Sequence, residues 1–219
     1  MGNVAVITGG SSGIGKSTAE LFARKGYSVY ELSRTGKSEN GVIHITADIT
    51  KPEDVRTAMK EVYDREGRID ILINNAGMGI SGAVEFTEIE QAHKIFDVNF
   101  FGVFLCCREA LPYLRMTQGS RIINLSSVAA QISIPFQAFY SATKAAVNSL
   151  TLALSNEVRP FGIKVSAVMP GDVHTGFTAA REKNEEGNEL YCDAIRRAVS
   201  AMEKDELSGM APDYIASLI

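Results

Sequence analysis

Short apolar segments alternate with longer helix-forming segments along most of this chain, and this alternation restricts its fold more than any other feature. The short segments are rich in β-branched and aliphatic residues and are bounded by Gly, Asp or Ser. They show no in-and-out alternation, which is typical of strands covered on both faces of a parallel sheet. Strands are therefore predicted at residues 4–8, 28–33, 42–47, 69–74, 121–126 and 163–169, and helices at residues 15–25, 52–66, 89–114 and 139–160. This order predicts an α/β fold, a Rossmann-like, doubly wound parallel sheet with helices on both faces.

The composition is that of one globular domain without a strongly charged partner. No repeat or linker divides the 219 residues, so a single domain over residues 1–219 is expected. The net charge of −4 gives no basic field for nucleic acid. No apolar run is long enough for a membrane span and the first residues lack a signal peptide, so a cytoplasmic protein is expected. The three cysteines and three histidines have no ligand spacing, which predicts no metal site.

Two of the predicted helices are apolar nearly all the way round. Residues 96–105 lie in one of them, and residues 142–154 lie in the other. A helix of this kind is buried on more than one side. One side packs on the sheet, and the other meets either a second copy of the chain or loops of its own domain. The first alternative predicts a homodimer or a homotetramer.

The sequence after residue 178 departs from the alternating pattern. A charged stretch from Arg181 to Glu189 predicts a solvated face. Residues 195–202 have partial helical character. Pro212 and Asp213 then begin another helix, which no strand follows.

A glycine-rich turn, TGGSSGIG at residues 8–15, lies between the first predicted strand and the first predicted helix. A turn that brings backbone close to a pyrophosphate and packs a helix on a strand needs residues without side chains. The amide groups at the start of that helix then attract phosphate. Glycines also serve simple tight turns, but this position in the fold favours a dinucleotide site.

Five ordered motifs resemble those of the short-chain dehydrogenase/reductase family. After the TGxxxGIG turn come, in order, NNAG at residues 74–77, Asn99, the pair Ser126 and Ser127, YSATK at residues 140–144, and PGxxxT with Pro170, Gly171 and Thr175. The resemblance covers about residues 3–178 and implies a nicotinamide-dependent oxidoreductase. The family usually ends with one further strand, so a truncated chain and a naturally short member both remain open.

The spacing of Tyr140 and Lys144 also has a chemical meaning of its own. Four residues apart on a helix, the two side chains project from one face. A free tyrosine has a pKa near 10, and a nearby ammonium favours its phenolate, which predicts a lowered pKa for Tyr140. By the resemblance, Tyr140 exchanges a proton with the substrate oxygen, and Lys144 also holds the nicotinamide ribose.

The resemblance assigns the two other catalytic positions to Ser127 and Asn99. Ser127 hydrogen-bonds the reacting oxygen, and Asn99 takes part in a water link that feeds protons to Lys144. A strand-end cap at Ser127 and a satisfied buried amide at Asn99 are the purely structural alternatives.

The remaining cofactor contacts are implied by the resemblance alone. Asn74 and Gly77 stabilise the sheet and let backbone pass the adenine ribose, Asp48 contacts the adenine amino group, and Val173 and Thr175 contact the nicotinamide carboxamide. The expected cofactor-binding residues are Gly9, Ser11, Ser12, Gly13, Ile14, Gly15, Ser33, Arg34, Asp48, Ile49, Asn75, Ala76, Gly77, Tyr140, Lys144, Pro170, Gly171, Val173 and Thr175. The expected walls of the substrate pocket are Met78, Ala129, Phe136, Val173, His174 and residues 177–202.

The end of the second strand predicts NADP(H) in preference to NAD(H). An acidic residue at the position of Ser33 would bind the adenine ribose hydroxyls and repel a 2′-phosphate, and serine does neither. Arg34 offers a planar fork of donors to that phosphate, and Lys16 adds positive charge. Glu31 is expected not to replace the acid, because it lies two residues earlier in the strand.

The favoured function is hydride transfer between NADP(H) and a carbonyl or secondary alcohol, with Tyr140 as general acid and base and a small-molecule ketone or alcohol as substrate. Two alternatives are an NADP-binding regulatory or sensor protein and an isomerase of the related extended type. The complete set of Asn99, Ser127, Tyr140 and Lys144 speaks against the first. Ser12 speaks against the second, because the extended type has glycine there. The identity of the substrate and the direction of reaction do not follow from the sequence.

Overall fold

A computed structural model describes residues 2–219 as one α/β domain. In chain order the strands are β1 (Val4–Thr8), β2 (Ser28–Ser33), β3 (Val42–Thr46), β4 (Ile71–Asn74), β5 (Ile80–Ser81), β6 (Arg121–Leu125), β7 (Lys164–Val168) and β8 (Glu182–Lys183). The helices are α1 (Gly13–Arg24), α2 (Pro52–Glu66), α3 (Ile89–Phe96), α4 (Gly102–Leu114), α5 (Ala138–Val158), α6 (Phe177–Ala180), α7 (Ala194–Leu207) and α8 (Pro212–Leu218).

The main sheet has six parallel strands in the order β3-β2-β1-β4-β6-β7. At its centre Val6 of β1 pairs with Tyr30 of β2 on one side and with Leu72 of β4 on the other. The chain reverses its direction of winding between β1 and β4, which opens a crevice at the carboxyl ends of these strands. The predicted Rossmann-like, doubly wound sheet is confirmed.

Each face of the sheet has its own apolar core, which explains why the strands are apolar without alternation. Val4 and Val6 of β1 pack with buried residues of α2, α4 and α5. Ala5 and Ile7, which point to the other side, pack with residues of α1 and α8. Because successive strand residues point to opposite faces, covering both faces with helices requires apolar side chains at every position.

The predicted helix 89–114 is divided into three parts by a π-helical turn at Asp97–Phe101. Asn99 lies in this turn and is completely buried. A helix that is apolar on all sides gives no sequence sign of such a turn, because a regular α-helix and a locally widened one have the same apolar composition. The turn is a finding of the structure and not of the sequence.

The charged stretch after residue 178 is only partly solvated. Arg181 is buried, whereas residues 185, 186 and 189 are exposed as predicted. Glu182 and Lys183 form β8, which pairs in parallel with β5 in a separate two-stranded sheet that the sequence did not indicate. The predicted helical segment 195–202 is part of the longer α7, and α8 begins at Pro212 as predicted and packs on α1.

Between residues 2 and 219 no helix combines the length and the apolarity that crossing a bilayer requires.

Candidate active site

A cleft of about 1030 Å³ opens at the carboxyl ends of the central strands. It collects nearly all of the residues that the sequence assigned to cofactor and catalysis. Those that line it are Gly9, Ser11, Ser12, Gly13, Ile14, Ser33, Arg34, Asp48, Ile49, Asn75, Ala76, Gly77, Ser127, Tyr140, Lys144, Pro170, Gly171, Val173 and Thr175. Gly15 and Asn99 do not line the cleft and lie behind its surface.

The glycine-rich turn lets two backbone segments approach closely at one end of the cleft. A Cβ atom on Gly9, whose φ is +66°, would lie 2.9 Å from Ala76 Cα. A Cβ atom on Gly15 would lie 2.3 Å from both Gly9 O and Asn75 Nδ2. Only residues without side chains allow this packing, and it places the start of α1 directly beside the cleft.

The start of α1 is suited to an anion. Its N-cap residue, Ser12, makes no side-chain hydrogen bond to the first turn, and the first turn contains no acidic residue. The amide groups there therefore keep their hydrogen-bonding capacity and the positive end of the helix dipole. Together with the close packing of Gly9 and Gly15, these features fit the pyrophosphate of a dinucleotide.

Lys144 is buried beneath the centre of the cleft. Its Nζ donates a hydrogen bond of 2.7 Å to Leu125 O at the end of β6 and lies 5.8 Å from the centroid of the Tyr140 ring. Burial lowers the pKa of the Lys144 ammonium from its ordinary value of 10.5 to about 8. A buried ammonium fixed by a single carbonyl group has capacity for further acceptors.

Tyr140 is half-buried, and its environment opposes ionisation. Burial raises the pKa of the Tyr140 hydroxyl, whereas the Ser127 hydroxyl and the charge of Arg181 act against this and Glu206 adds to it. The lowered pKa that the spacing to Lys144 predicted is therefore not what the structure gives. The reason is geometric, because Lys144 Nζ is directed to Leu125 O and burial is the largest influence on Tyr140.

The position of Ser127 agrees with both the structural and the functional interpretation. It is the N-cap of the short 3₁₀ turn Val128–Ala130, and its Oγ accepts a hydrogen bond of 3.1 Å from Ala129 N. A hydroxyl that accepts in this way still has its proton to donate. Ser127 lines the cleft beside Tyr140, so that proton is available to a ligand there.

Asn99 holds the floor of the cleft together. Its Oδ1 accepts from Met78 N at 2.8 Å, and its Nδ2 donates to Met78 O at 2.9 Å and to Thr143 Oγ1 at 3.2 Å. Thr143 Oγ1 in turn donates to Tyr140 O. The amide is thus satisfied, as the structural alternative required, and it connects the loop after β4 to α5. The proton-feeding role of Asn99 stays a prediction.

The adenosine end of the cleft contains Ser33, Arg34 and Asp48. Burial disfavours the charged form of Asp48, but two hydrogen bonds from Thr50 and the charges of Arg34 and Lys51 outweigh it, so the pKa of Asp48 is lowered. Arg34 is exposed. The corner therefore contains a fixed carboxylate and a guanidinium that solvent or a ligand can reach.

Glu31 lies closer to this corner than the sequence argument assumed. Residues two apart on a strand share a face, and Ser33 Oγ donates to Glu31 Oε1 at 3.2 Å. The carboxylate also contacts His44, and its Oε2 is buried without a partner among residues 2–219. Glu31 nevertheless lines a neighbouring cavity of about 440 Å³ and not the main cleft. The expectation that it does not replace an acid at Ser33 stays a prediction.

The expected substrate walls are only partly correct. Met78, Ala129 and Val173 line the cleft, together with Phe177, Ala180 and Met202 of the segment 177–202. His174 is exposed and does not line it. Phe136 packs away from the cleft against Tyr191, with a ring separation of 5.7 Å. Its φ of +60° turns the side chain out of the direction that an extended chain would give.

Several lining residues were not foreseen. Ile134 and Gln137 precede α5 and Tyr140, and Glu206 reaches the cleft from α7. Gln137 lies three residues before Tyr140, one helical turn away, which is a spacing that would have placed it near the phenol. Glu206 had no such signal, because it lies on α7, far from Tyr140 in sequence, and its position depends on tertiary packing.

Comparison with known proteins agrees with this geometry. The family model described as "short chain dehydrogenase" matches residues 3–186. A 3-ketodihydrosphingosine reductase of Bacteroides thetaiotaomicron is 42% identical over 219 residues, with 99% of this chain and 81% of the relative covered.

Two solved structures have the same fold. A 3-ketoacyl-(acyl-carrier-protein) reductase from Brucella melitensis complexed with NADH has a TM-score of 0.83 at 31% identity, with 99% of this chain and 88% of that chain covered. ElxO with NADP bound has a TM-score of 0.82 at 26% identity, with 99% and 89% covered. The chain belongs to the short-chain dehydrogenase/reductase family of nicotinamide-dependent oxidoreductases.

Proposed function

We propose that this protein uses NADP(H) to interconvert a ketone and a secondary alcohol, with Tyr140 as the general acid and base. The observation that carries the proposal is the presence of Tyr140, Ser127 and Lys144 in the same cleft as the glycine-rich turn. A chain that only bound the dinucleotide would need the turn but not these three groups.

A bound nicotinamide dinucleotide supplies hydride transfer to or from the carbonyl carbon. In reduction, Tyr140 donates its hydroxyl proton to the carbonyl oxygen, which gains negative charge as the carbon accepts hydride. The Ser127 hydroxyl donates a hydrogen bond to the same oxygen and stabilises that charge. In oxidation, Tyr140 takes the proton back from the alcohol.

The protonated Tyr140 hydroxyl is the form that reduction requires. A phenol with a raised pKa stays protonated near neutral pH, which is the form that donates a proton. The positive charge of Arg181 favours the phenolate that remains after donation. Reduction therefore begins from the protonation states that this site favours.

The preference for NADP(H) is argued from the adenosine end. Ser33 carries no charge that repels a 2′-phosphate, and its hydroxyl is directed to Thr35 O and Glu31. Arg34 is exposed and lines the cleft, so its donors are available to a phosphate. The solved neighbours include complexes with NADH and with NADP, so the family alone leaves the choice open.

Four large apolar side chains, Met78, Ile134, Phe177 and Met202, line the same cleft as Tyr140, together with charged residues such as Glu206. The relative from Bacteroides thetaiotaomicron is named for a ketone. We therefore favour a ketone attached to an apolar chain over a small polar carbonyl compound.

We also propose that the protein is a homo-oligomer. Phe101 and Phe104 near the start of α4 and Leu152 of α5 are large apolar side chains that are 48%, 40% and 70% exposed. They lie on the two helices for which the sequence predicted an outer apolar face. Burying these side chains against a second copy would remove the cost of exposing them.

The function is tested by incubating the purified protein with NADPH and a panel of ketones that includes 3-ketodihydrosphingosine, and by following nicotinamide absorbance. Turnover in the wild type and its loss in Tyr140→Phe would support the proposal. Tight NADPH binding without turnover of any ketone would contradict it and would favour a sensor protein.

A further inference from the structure

A buried ion pair lies beside the reacting end of the cleft. The Arg181 side chain, between α6 and β8, is only 1% exposed. Its Nη2 donates to Glu206 Oε1 on α7, and Glu206 Oε2 accepts a hydrogen bond of 2.7 Å from Thr178 Oγ1. The pair thus joins the segment after β7 to α7, and nothing in the proposed mechanism uses it.

Stability alone does not account for this arginine. Its Nε and Nη1 are buried and have no acceptor within residues 2–219. A guanidinium removed from water with only one partner is expensive, and an apolar side chain in such a position is often more stable. The incomplete pairing therefore points to a role in the site.

The Phe177 ring is close to both Arg181 and Tyr140. Arg181 Cζ is 5.7 Å from the centroid of the Phe177 ring, and that ring is 5.8 Å from the Tyr140 ring. A Cβ atom on Gly79 would lie 3.1 Å from Phe177 Cζ and 3.4 Å from Arg181 Nε. The loop after β4 therefore lies close to both the ring and the guanidinium.

We propose that Arg181 and Glu206 form a positioning pair that holds Phe177 against Tyr140 and sets, through their opposite charges, how readily the Tyr140 hydroxyl gives up its proton. This inference rests on the proposed role of Tyr140. Neither member of the pair transfers a proton itself. The positive member favours the phenolate, and the negative member opposes it.

The electrostatic environment of Tyr140 supports this role. Burial raises its pKa, the Ser127 hydroxyl and then Arg181 lower it, and Glu206 raises it. Lys144 faces the ring from the same helix. Burial, then the charges of Asp205 and Glu206, raise the pKa of Asp172, which follows β7. The other charged residues that line the cleft are Arg34, Asp48, Glu90, His93, Lys94, Asp97 and Glu182.

The same segment contains a matched control pair. Lys183 of β8 pairs with Glu203 of α7, which ties the same two elements together, but its side chain is 40% exposed. Neither Lys183 nor Glu203 contributes to the pKa of Tyr140. A purely structural role predicts similar effects from the two pairs, whereas the proposal predicts an effect on Tyr140 from the buried pair only.

The test measures the ionisation of Tyr140 in the full-length protein without substrate, by NMR titration of tyrosine labelled with ¹³C at Cζ. The Tyr140 resonance is identified by its loss in Tyr140→Phe. We expect Arg181→Gln to raise the titration midpoint of Tyr140 and Glu206→Gln to lower it. The double variant should lie near the wild type, and both Arg181→Lys and Lys183→Gln should leave the midpoint unchanged.

This measurement separates the inference from the proposed function, because it needs no turnover. A Tyr140 midpoint that is unchanged in both single variants, or that moves in the same direction in both, would refute the proposed electrostatic role of Arg181 and Glu206. If Arg181→Gln does not fold, Glu206→Gln together with Arg181→Lys still decides the question. A protein that reduces no ketone but shows opposite shifts would contradict the function and leave the electrostatic pair in place.

Discussion

Replacing Lys144 with methionine should stabilise the protein while removing its activity. The Lys144 side chain is buried, and its burial lowers the pKa of the ammonium from 10.5 to about 8. This difference means that keeping the protonated form in the folded protein costs about 3 kcal/mol. Methionine has a similar shape and no charge, but it loses the hydrogen bond to Leu125 O, which contributes about 1 kcal/mol. The net gain near neutral pH is about 2 kcal/mol.

The gain should disappear as the pH rises. Below about pH 8 the lysine is protonated in both states, so the difference between the two proteins is constant. Between the folded pKa and the unfolded value of 10.5 the unfolded wild type holds the proton that the folded wild type has released. Wild-type stability therefore rises in this window, and it should overtake that of Lys144→Met at about pH 9 to 10.

Urea unfolding followed by circular dichroism at several pH values between about 7 and 10 provides the measurement. Lys164→Met, at an exposed lysine in β7, is the matched control and should change stability little at any pH. NADPH affinity and ketone reduction should both fall sharply in Lys144→Met, since the ammonium is proposed to serve both. A variant that is less stable than wild type at pH 7, or a difference that does not change with pH, would refute the reasoning.

The remaining predictions concern the phenol, the cofactor and the assembly. Tyr140→Phe should lower kcat by about 10²- to 10⁴-fold and leave NADPH binding largely intact, because the ring keeps its packing on Phe177. More than a tenth of wild-type turnover would be incompatible with the assignment. The double variant Ser33→Asp with Arg34→Ala should shift the NADPH-to-NADH ratio of kcat/KM at least about tenfold towards NADH, since it adds a charge that repels the 2′-phosphate and removes donors to it. Equal efficiencies with both cofactors in the wild type would argue against the proposed preference for NADP(H). Light scattering at micromolar concentration should show that the wild type is a dimer or a tetramer, and the double variant Phe104→Glu with Leu152→Glu should dissociate this oligomer. A wild-type monomer would exclude the proposed interface.

The strands and the cofactor turn were predictable because they depend on local requirements. The bounds of β1 and β2 match the predicted segments, and the other main strands begin or end within two residues of prediction. Their apolarity on both faces has a single structural explanation, and the glycines at positions 9 and 15 belong to one turn between β1 and α1, where a Cβ atom on Gly15 would meet Gly9 O. Such features are encoded by neighbouring residues, so one sequence is enough to find them.

The features that escaped prediction depend on distant segments. The π-helical turn places Asn99 against Met78, which lies 21 residues away, and Arg181 meets Glu206 at a separation of 25 residues. A charged residue in a charged stretch is normally solvated, and only the packing of α7 over α6 makes Arg181 an exception. The position of each of these groups follows from tertiary contacts that no local pattern specifies.

One property of Lys144 was predictable from the sequence, and another depends on a distant segment. Its spacing from Tyr140 was visible in the sequence, but the direction of its Nζ was not, because that depends on Leu125 O at the end of a strand 19 residues earlier. Burial at this point lowers the Lys144 pKa and raises that of Tyr140, so the protein alone disfavours the charged form of each group. A bound dinucleotide ribose would give the ammonium further acceptors and make its charged form less costly. NADPH should therefore stabilise the wild type more than it stabilises Lys144→Met, and comparing the thermal shifts of the two proteins at saturating NADPH measures that difference.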